Sequence, residues 1–213
     1  MPSLPPNPVS EWSNYFESTI SKPLHPLFST LEPYLPKTGR AADLGCGVGH
    51  AVVWLAEKGW QVEAIDGHSQ ALKIAESRLS ADAKERVTLT QTMLEDLGLE
   101  PGSYDLVVAA YSLFFVESKE VLTSVWTTIR ESLNSGGLFL FELLGPRDDW
   151  SNDLLSHDRV EVDALLAGWE VLHFEEVEQD GHTSQGTPKH WHVFHVIARK
   201  VPSSISRHPA INF

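Results

Sequence analysis

The sequence predicts an α/β protein in which a mostly parallel sheet, doubly wound with helices on both faces, ends in an antiparallel C-terminal hairpin. Three observations predict it. From Arg40 onward, short apolar runs suited to buried strands alternate with stretches of helical composition, the pattern of successive βα units. The first strand passes at once into a glycine-rich turn, Asp43-Leu44-Gly45-Cys46-Gly47-Val48-Gly49-His50. Near the C-terminus two strand-like runs, Trp169 to Val177 and His190 to Arg199, flank a loop holding Gly181, Gly186 and Pro188, which reads as a hairpin.

In chain order, prolines through Pro8 predict irregular backbone. Glu11 to Ile20 then has helical composition, with Trp12, Tyr15 and Phe16 near one face at the spacing of a packing stripe. Ala41 to Leu44 is the first strand. Gly45, Gly47 and Gly49 follow, because a Cβ would hold the backbone away from a ligand and because such a turn needs angles that other residues resist. The helix beginning at Ala51 aims unsatisfied N–H groups at whatever lies above the turn. Val62 to Asp66 is a second strand that ends on an acid, the position that bonds ribose hydroxyls in nucleotide-binding βαβ units. A dinucleotide turn, G-x-G-x-x-G/A, requires a small residue where this chain has His50. Asp43, two residues before the first glycine, suits an ammonium group better than a pyrophosphate. The pair of acids therefore favours S-adenosylmethionine over a nicotinamide cofactor.

Asp43 to Gly49 followed by Ala64-Ile65-Asp66 resembles motif I and the second-strand acid of class I S-adenosylmethionine-dependent methyltransferases. Tyr104 to Val108 is similar to that family's fourth strand, and Leu133 to Leu138 to its turn before the fifth. Gly145 to Trp150 and Lys189 to His195 resemble small bacterial members called tellurite-resistance-like. The resemblance implies a seven-stranded sheet in the order 3-2-1-4-5-7-6. It also implies a methyltransferase domain over 35–200, preceded by an irregular segment and lid-like helix in 1–34 and followed by a flexible tail, 201–213. S-adenosylmethionine would be the cofactor and S-adenosylhomocysteine the product. The cofactor-binding positions implied are Asp43, Gly45, Cys46, Gly47, Gly49, Asp66, Gly67, Met93, Leu94 and Ala110. At the end of the third strand, Val87 to Thr92, the family frequently has an Asp that bonds the adenine amino group, and this chain has Met93. Met93 and Leu94 can sandwich the ring with Leu94 offering its N–H, or Glu95 or Asp96 can supply the polar contact.

The fourth strand, Asp105 to Ala110, leads to Tyr111, Phe114 and Phe115 at a position that faces the transferred methyl in the family. The Asn/Asp-Pro-Pro-aromatic sequence of enzymes acting on amide or base nitrogen is missing there. Helix Lys119 to Leu133, strand Leu138 to Leu143, the loop Gly145 to Trp150 and helix Val160 to Leu166 follow. The acceptor-side candidates are Tyr15, Tyr111, Arg147, Asp148, Trp150, His190 and His192, since loops at strand ends carry function disproportionately. His50, His190, His192 and Tyr111 are unranked as general bases, and no catalytic residue is assigned. His190-Trp191-His192 has a spacing that can bind zinc, but no third ligand is evident and no metal is expected.

A chain of 213 residues suits one domain. The net charge of −13 disfavours nucleic-acid partners, which need clustered Lys and Arg. Cys46 is the single cysteine, so no internal disulfide forms, and its place in the turn favours packing over nucleophilic use. No apolar run has membrane-spanning length, and the N-terminal residues lack the basic start and apolar core of a signal peptide. The expected protein is cytoplasmic, binds no membrane and acts on a small molecule; its oligomeric state is not legible. A nicotinamide-dependent oxidoreductase, and a protein that binds S-adenosylmethionine without catalysis, are the alternatives.

Overall fold

The structure, a computed structural model, describes residues 9–202, with side chains from Trp12 onward. The expected irregular opening and nearly all of the expected tail lie outside the described residues. Seven strands form one sheet in the order β3-β2-β1-β4-β5-β7-β6. They are β1 (Arg40–Leu44), β2 (Gln61–Asp66), β3 (Val87–Gln91), β4 (Tyr104–Ala109), β5 (Leu133–Leu144), β6 (Trp169–His182) and β7 (Pro188–Lys200). The first five pair in parallel, and β7 runs antiparallel to both of its neighbours.

Parallel strands joined by helices are covered on both faces, which is why β1 and β4 are almost wholly buried. One core packs α6 (Lys119–Ser132) and α7 (Arg159–Leu165) through Trp126, Ile129 and Val162 against Phe139 and Phe141. The opposite core packs α2 (Leu27–Leu31), α3 (His50–Glu57), α4 (Ser69–Ser77) and α5 (Ala81–Lys84) against Leu106, Leu140 and Ile197. Local sequence stops and starts these helices. Ser118 Oγ accepts from the Val121 N–H at α6, and Asp158 with Glu161 forms a capping box at α7. The first helix, α1 (Val9–Thr19), lies over the glycine turn, with Phe16 packed on Val48 and Ala71.

The largest departures from the sequence reading are at β5 and in the hairpin. β5 begins at Leu133 rather than Leu138, because Leu133 already pairs with Tyr104 before a register shift resets the ladder. The hairpin ladder continues outward until His182 pairs with Pro188, so Gly181 lies inside β6 rather than in the loop. Strand order reverses between β1 and β4, and at such a switch point the carboxyl ends of the strands leave a crevice for a ligand. No helix among the described residues is long and apolar enough to cross a membrane.

Candidate active site

A cavity of about 130 Å³ occupies that crevice. Its floor is the glycine turn and the ends of β2 and β4: Gly45, Gly47, Asp66, Gly67, Ala110 and Tyr111. Its far wall is Thr92, Met93, Leu94 and Glu95, and its roof is Trp12, Tyr15 and Phe16 of α1. The turn is held from beneath. Gly45 and Cys46 both donate to Ile65 O, at 2.8 and 2.9 Å. Gly47 has φ 52°, and a Cβ there would meet nothing within 4 Å, so its bare backbone borders open space. Gly49, with φ 77°, has another reason for being glycine. A Cβ would stand 2.6 Å from Ala75 Cβ, so this residue lets α3 approach α4 and does not line the cavity.

Two buried acids dominate the electrostatics. Asp66 accepts from Gly47 N at 2.9 Å and from His68 N at 2.8 Å, which leaves lone pairs on both oxygens for further donors. Burial raises its pKa against the pull of those two N–H groups. Asp43 lies deeper, outside the cavity lining, and burial followed by repulsion from Asp66 pushes it up to about 7. A cation placed near both carboxylates would lower both. Burial and the same two acids push the Cys46 thiol well above its ordinary value, so it stays a thiol that packs under the turn.

The roof is aromatic. Trp12 lies 5.0 Å from the His68 ring and 5.5 Å from Phe115, and Phe16 stacks behind it. His50, just past the turn, clamps the end of α1. Arg78 donates to its Nδ1 at 3.1 Å, so Nε2 carries the proton and donates to Thr19 O at 3.0 Å. With both nitrogens engaged, His50 serves as a latch rather than a base. Tyr111, at the end of β4, has φ 54°, a left-handed backbone that a tyrosine rarely adopts. Strain of this kind gathers at functional sites. Burial first, and then the Glu142 charge, raise the Tyr111 pKa far above its ordinary value, so its phenol is a proton-bearing donor, not a base.

The family model described as "Methyltransferase domain" matches residues 41–137, the stretch that builds the floor and far wall of this cavity. Residues 41–137 are thus similar to a methyltransferase domain. Over 114 residues it is 32% identical to YqeM of Bacillus subtilis, which bears the name of a methyltransferase; the match covers 53% of this chain and 45% of that one. The chain thus spans about half, or less, of the length of the curated relatives it matches. A solved S-adenosylmethionine-dependent methyltransferase from Methanosarcina mazei shares the fold at TM-score 0.66 and 19% identity, covering 84% of this chain and 99% of that one. TehB from Haemophilus influenzae does so at TM-score 0.70 and 18% identity, covering 89% and 67%.

Of the methyltransferase positions expected to touch cofactor, Gly45, Gly47, Asp66, Gly67, Met93, Leu94 and Ala110 line the cavity, whereas Asp43, Cys46 and Gly49 support it from below. Among the acceptor-side candidates, Tyr15 and Tyr111 line it. Arg147, Asp148, Trp150, His190 and His192 do not. Each is engaged elsewhere. Asp148 is buried against Lys189 Nζ and accepts from Trp150 N at 2.9 Å and His192 N at 3.0 Å. Trp150 and Trp191 sandwich that same ammonium, at 4.3 and 3.7 Å. Arg147 is exposed and forks onto Glu178. His190 pairs with Asp180 at 2.7 Å and His192 with Glu176 at 2.9 Å. The loop after β5 is therefore fastened to the hairpin and meets the cavity only from behind, where Trp150 and Trp191 pack in one cluster with Tyr111. Trp12, Phe16, His68, Thr92, Ser112 and Val116 line the cavity and were not singled out from sequence as site residues. The aromatic stripe of α1 was the visible signal for the first two.

Proposed function

We propose that this chain transfers the methyl group of S-adenosylmethionine to a small acceptor by in-line displacement. A lone pair of the acceptor attacks the methyl carbon, the carbon–sulfur bond breaks, and its electrons neutralise the sulfonium. In this reading Asp66 takes the ribose hydroxyls, and Asp43 draws the amino-acid ammonium through the turn, directly or through water. Gly47 admits the cofactor's close approach, Gly45 lies close against Ser112, and Met93 and Leu94 bracket the adenine. Ala110 and Tyr111 stand at the methyl end, with Tyr15 opposite.

One observation supports a small acceptor above the others: α1 roofs the cavity with Trp12, Tyr15 and Phe16, leaving about 130 Å³. A roof carried on one helix can move aside to admit cofactor and then close to exclude water. A closed aromatic chamber suits a small molecule, and its faces attract a sulfonium. The charge of −13 adds repulsion against polyanions. A methyl-release assay over small thiols, amines, phenols and oxyanions, run beside tRNA, DNA and protein pools, tests this. Turnover on a small acceptor is expected; turnover on a macromolecule alone would sink the proposal.

A further inference from the structure

The strand β5 is apolar from Leu138 to Leu144 except at Glu142, and Glu142 is fully buried. Its register partner on β7 is His195, so the two side chains leave the sheet on the same face. Glu142 Oε1 and His195 Nδ1 stand 3.5 Å apart, each buried and each without a hydrogen-bond partner. A third group closes on them. His25, on the segment before α2, brings its Nδ1 to 3.8 Å from Glu142 Oε1, and its ring stacks on His195 at 5.3 Å. No Lys or Arg pairs with Glu142 among the described residues. Burying a carboxylate with a bare oxygen is expensive unless something compensates it.

We infer that His25, Glu142 and His195 form a binding site for a divalent transition-metal ion. All three ligand atoms lie within 4.8 Å of one another. Around a zinc ion with bonds of roughly 2.0–2.2 Å, ligand atoms stand about 3.4 Å apart, so modest closing of His25 completes the set. His25 Nδ1 already accepts from Leu27 N–H at 3.3 Å, so it offers a lone pair rather than a proton, and the metal would replace that long contact. Two imidazoles and one carboxylate suit zinc, iron(II) or cobalt(II) rather than the all-oxygen shells of magnesium and calcium. The second Glu142 oxygen accepts from Tyr111 N at 3.1 Å, which fixes the carboxylate's orientation as an outer partner does in metal centres. His25 is one-third exposed, so the remaining coordination positions face an entry path.

The Tyr111 ring contacts both His25 and His195 and also lines the cofactor cavity. None of the three residues lines that cavity, so an ion here would sit behind the Tyr111 ring and act on methyl transfer only by holding that ring in place. That role rests on the methyl-transfer reading; the metal site does not. The test is titration of chelator-stripped full-length protein with zinc by calorimetry, and with cobalt(II) by visible absorption. One ion per chain is expected. Loss of a direct ligand in Glu142→Gln, His195→Ala or His25→Ala should weaken it at least about 100-fold, the upper end of what outer partners cost. His25→Ala changes no strand and keeps the test sound should the sheet variants misfold. His190→Ala, at an exposed histidine on the hairpin, should leave binding intact. Absence of stoichiometric binding, or binding abolished by His190→Ala and kept in His25→Ala, overturns the site. A parallel titration with S-adenosylmethionine separates the two readings, since zinc binding and cofactor binding can each fail alone.

Discussion

The two ends of the sheet put their buried acids to opposite uses. Beneath the cofactor cavity, Asp43 and Asp66 are buried together with no cation paired to either among the described residues, and their pKa values rise. At the hairpin end the buried acid Asp148 meets a base, Lys189, and exposed acids are paired as well, Glu178 with Arg147 and Glu176 with His192. A buried carboxylate without a partner is unfavourable until a ligand supplies the missing charge, so the first arrangement belongs to a binding site. The second is complete by itself and fastens a loop. Glu142 lies among the paired acids of the C-terminal half but has the bare oxygen typical of the N-terminal half.

The largest effect should come from breaking the completed arrangement. Asp148→Ala removes the partner of a buried ammonium together with the acceptor of two backbone N–H groups. Truncating one side of a buried pair costs about 3–5 kcal/mol, and denaturant unfolding should show a loss of that order. Cofactor affinity in the folded fraction should be unchanged. A loss below about 1 kcal/mol would mean that water already screens the pair.

The same truncation on the ligand side should do the reverse. Asp66→Ala should weaken S-adenosylmethionine binding by about 1.5–3 kcal/mol, the range for hydrogen bonds to a charged group, with Asp66→Asn milder. Stability should fall far less than in Asp148→Ala, because removing Asp66 also relieves its repulsion of Asp43. Calorimetry gives the first quantity and unfolding the second. An unchanged dissociation constant in Asp66→Ala would move the ribose partner elsewhere.

Asp43 sharpens the comparison through pH. In the free protein its pKa is pushed up to about 7, so the native state holds a proton that the unfolded chain has lost above pH 4. By linkage this group favours the fold less as pH rises from 4 to 7 and adds no further change above that. The cofactor's ammonium favours the charged carboxylate, so affinity should rise between pH 6 and about 7.5, by up to roughly tenfold per pH unit below the pKa. Binding at pH 6 should release a proton, visible as a dependence of the calorimetric heat on buffer ionisation. Asp43→Asn should bind more weakly and show neither effect.

How much was legible follows the same division. The turn could be read because glycines, strand composition and an acid at each strand end are local features, and they placed Asp43, Gly47 and Asp66 within a few residues of one another in space. The hairpin histidines could not. Alternation tells which face His190 and His192 share, but whether β6 sets Asp180 and Glu176 against them depends on a register that sequence does not state. Trp150 was an aromatic at a strand end, and only the fold shows Lys189 sandwiched between it and Trp191. Glu142 carried a visible signal, a lone charge in an apolar strand. Its partner His25 lies on an irregular segment far away in the chain, where periodicity gives no orientation.

The smallest effect should come from Arg147, and a null result there is the informative one. Its guanidinium forks onto Glu178, whose carboxyl it holds down to about 2, yet both groups face water. Solvent screening and the entropy of holding two long side chains offset most of such a pair. Arg147→Ala should therefore leave the melting temperature nearly unchanged, and any difference should vanish in high salt. It should also leave cofactor affinity and methyl transfer intact, because Arg147 borders no part of the cavity. A loss of turnover that persists in high salt while stability holds would show that the loop after β5 swings over the site during catalysis. That result would return Arg147 to the acceptor and break the contrast between a ligand-binding half and a self-completed one.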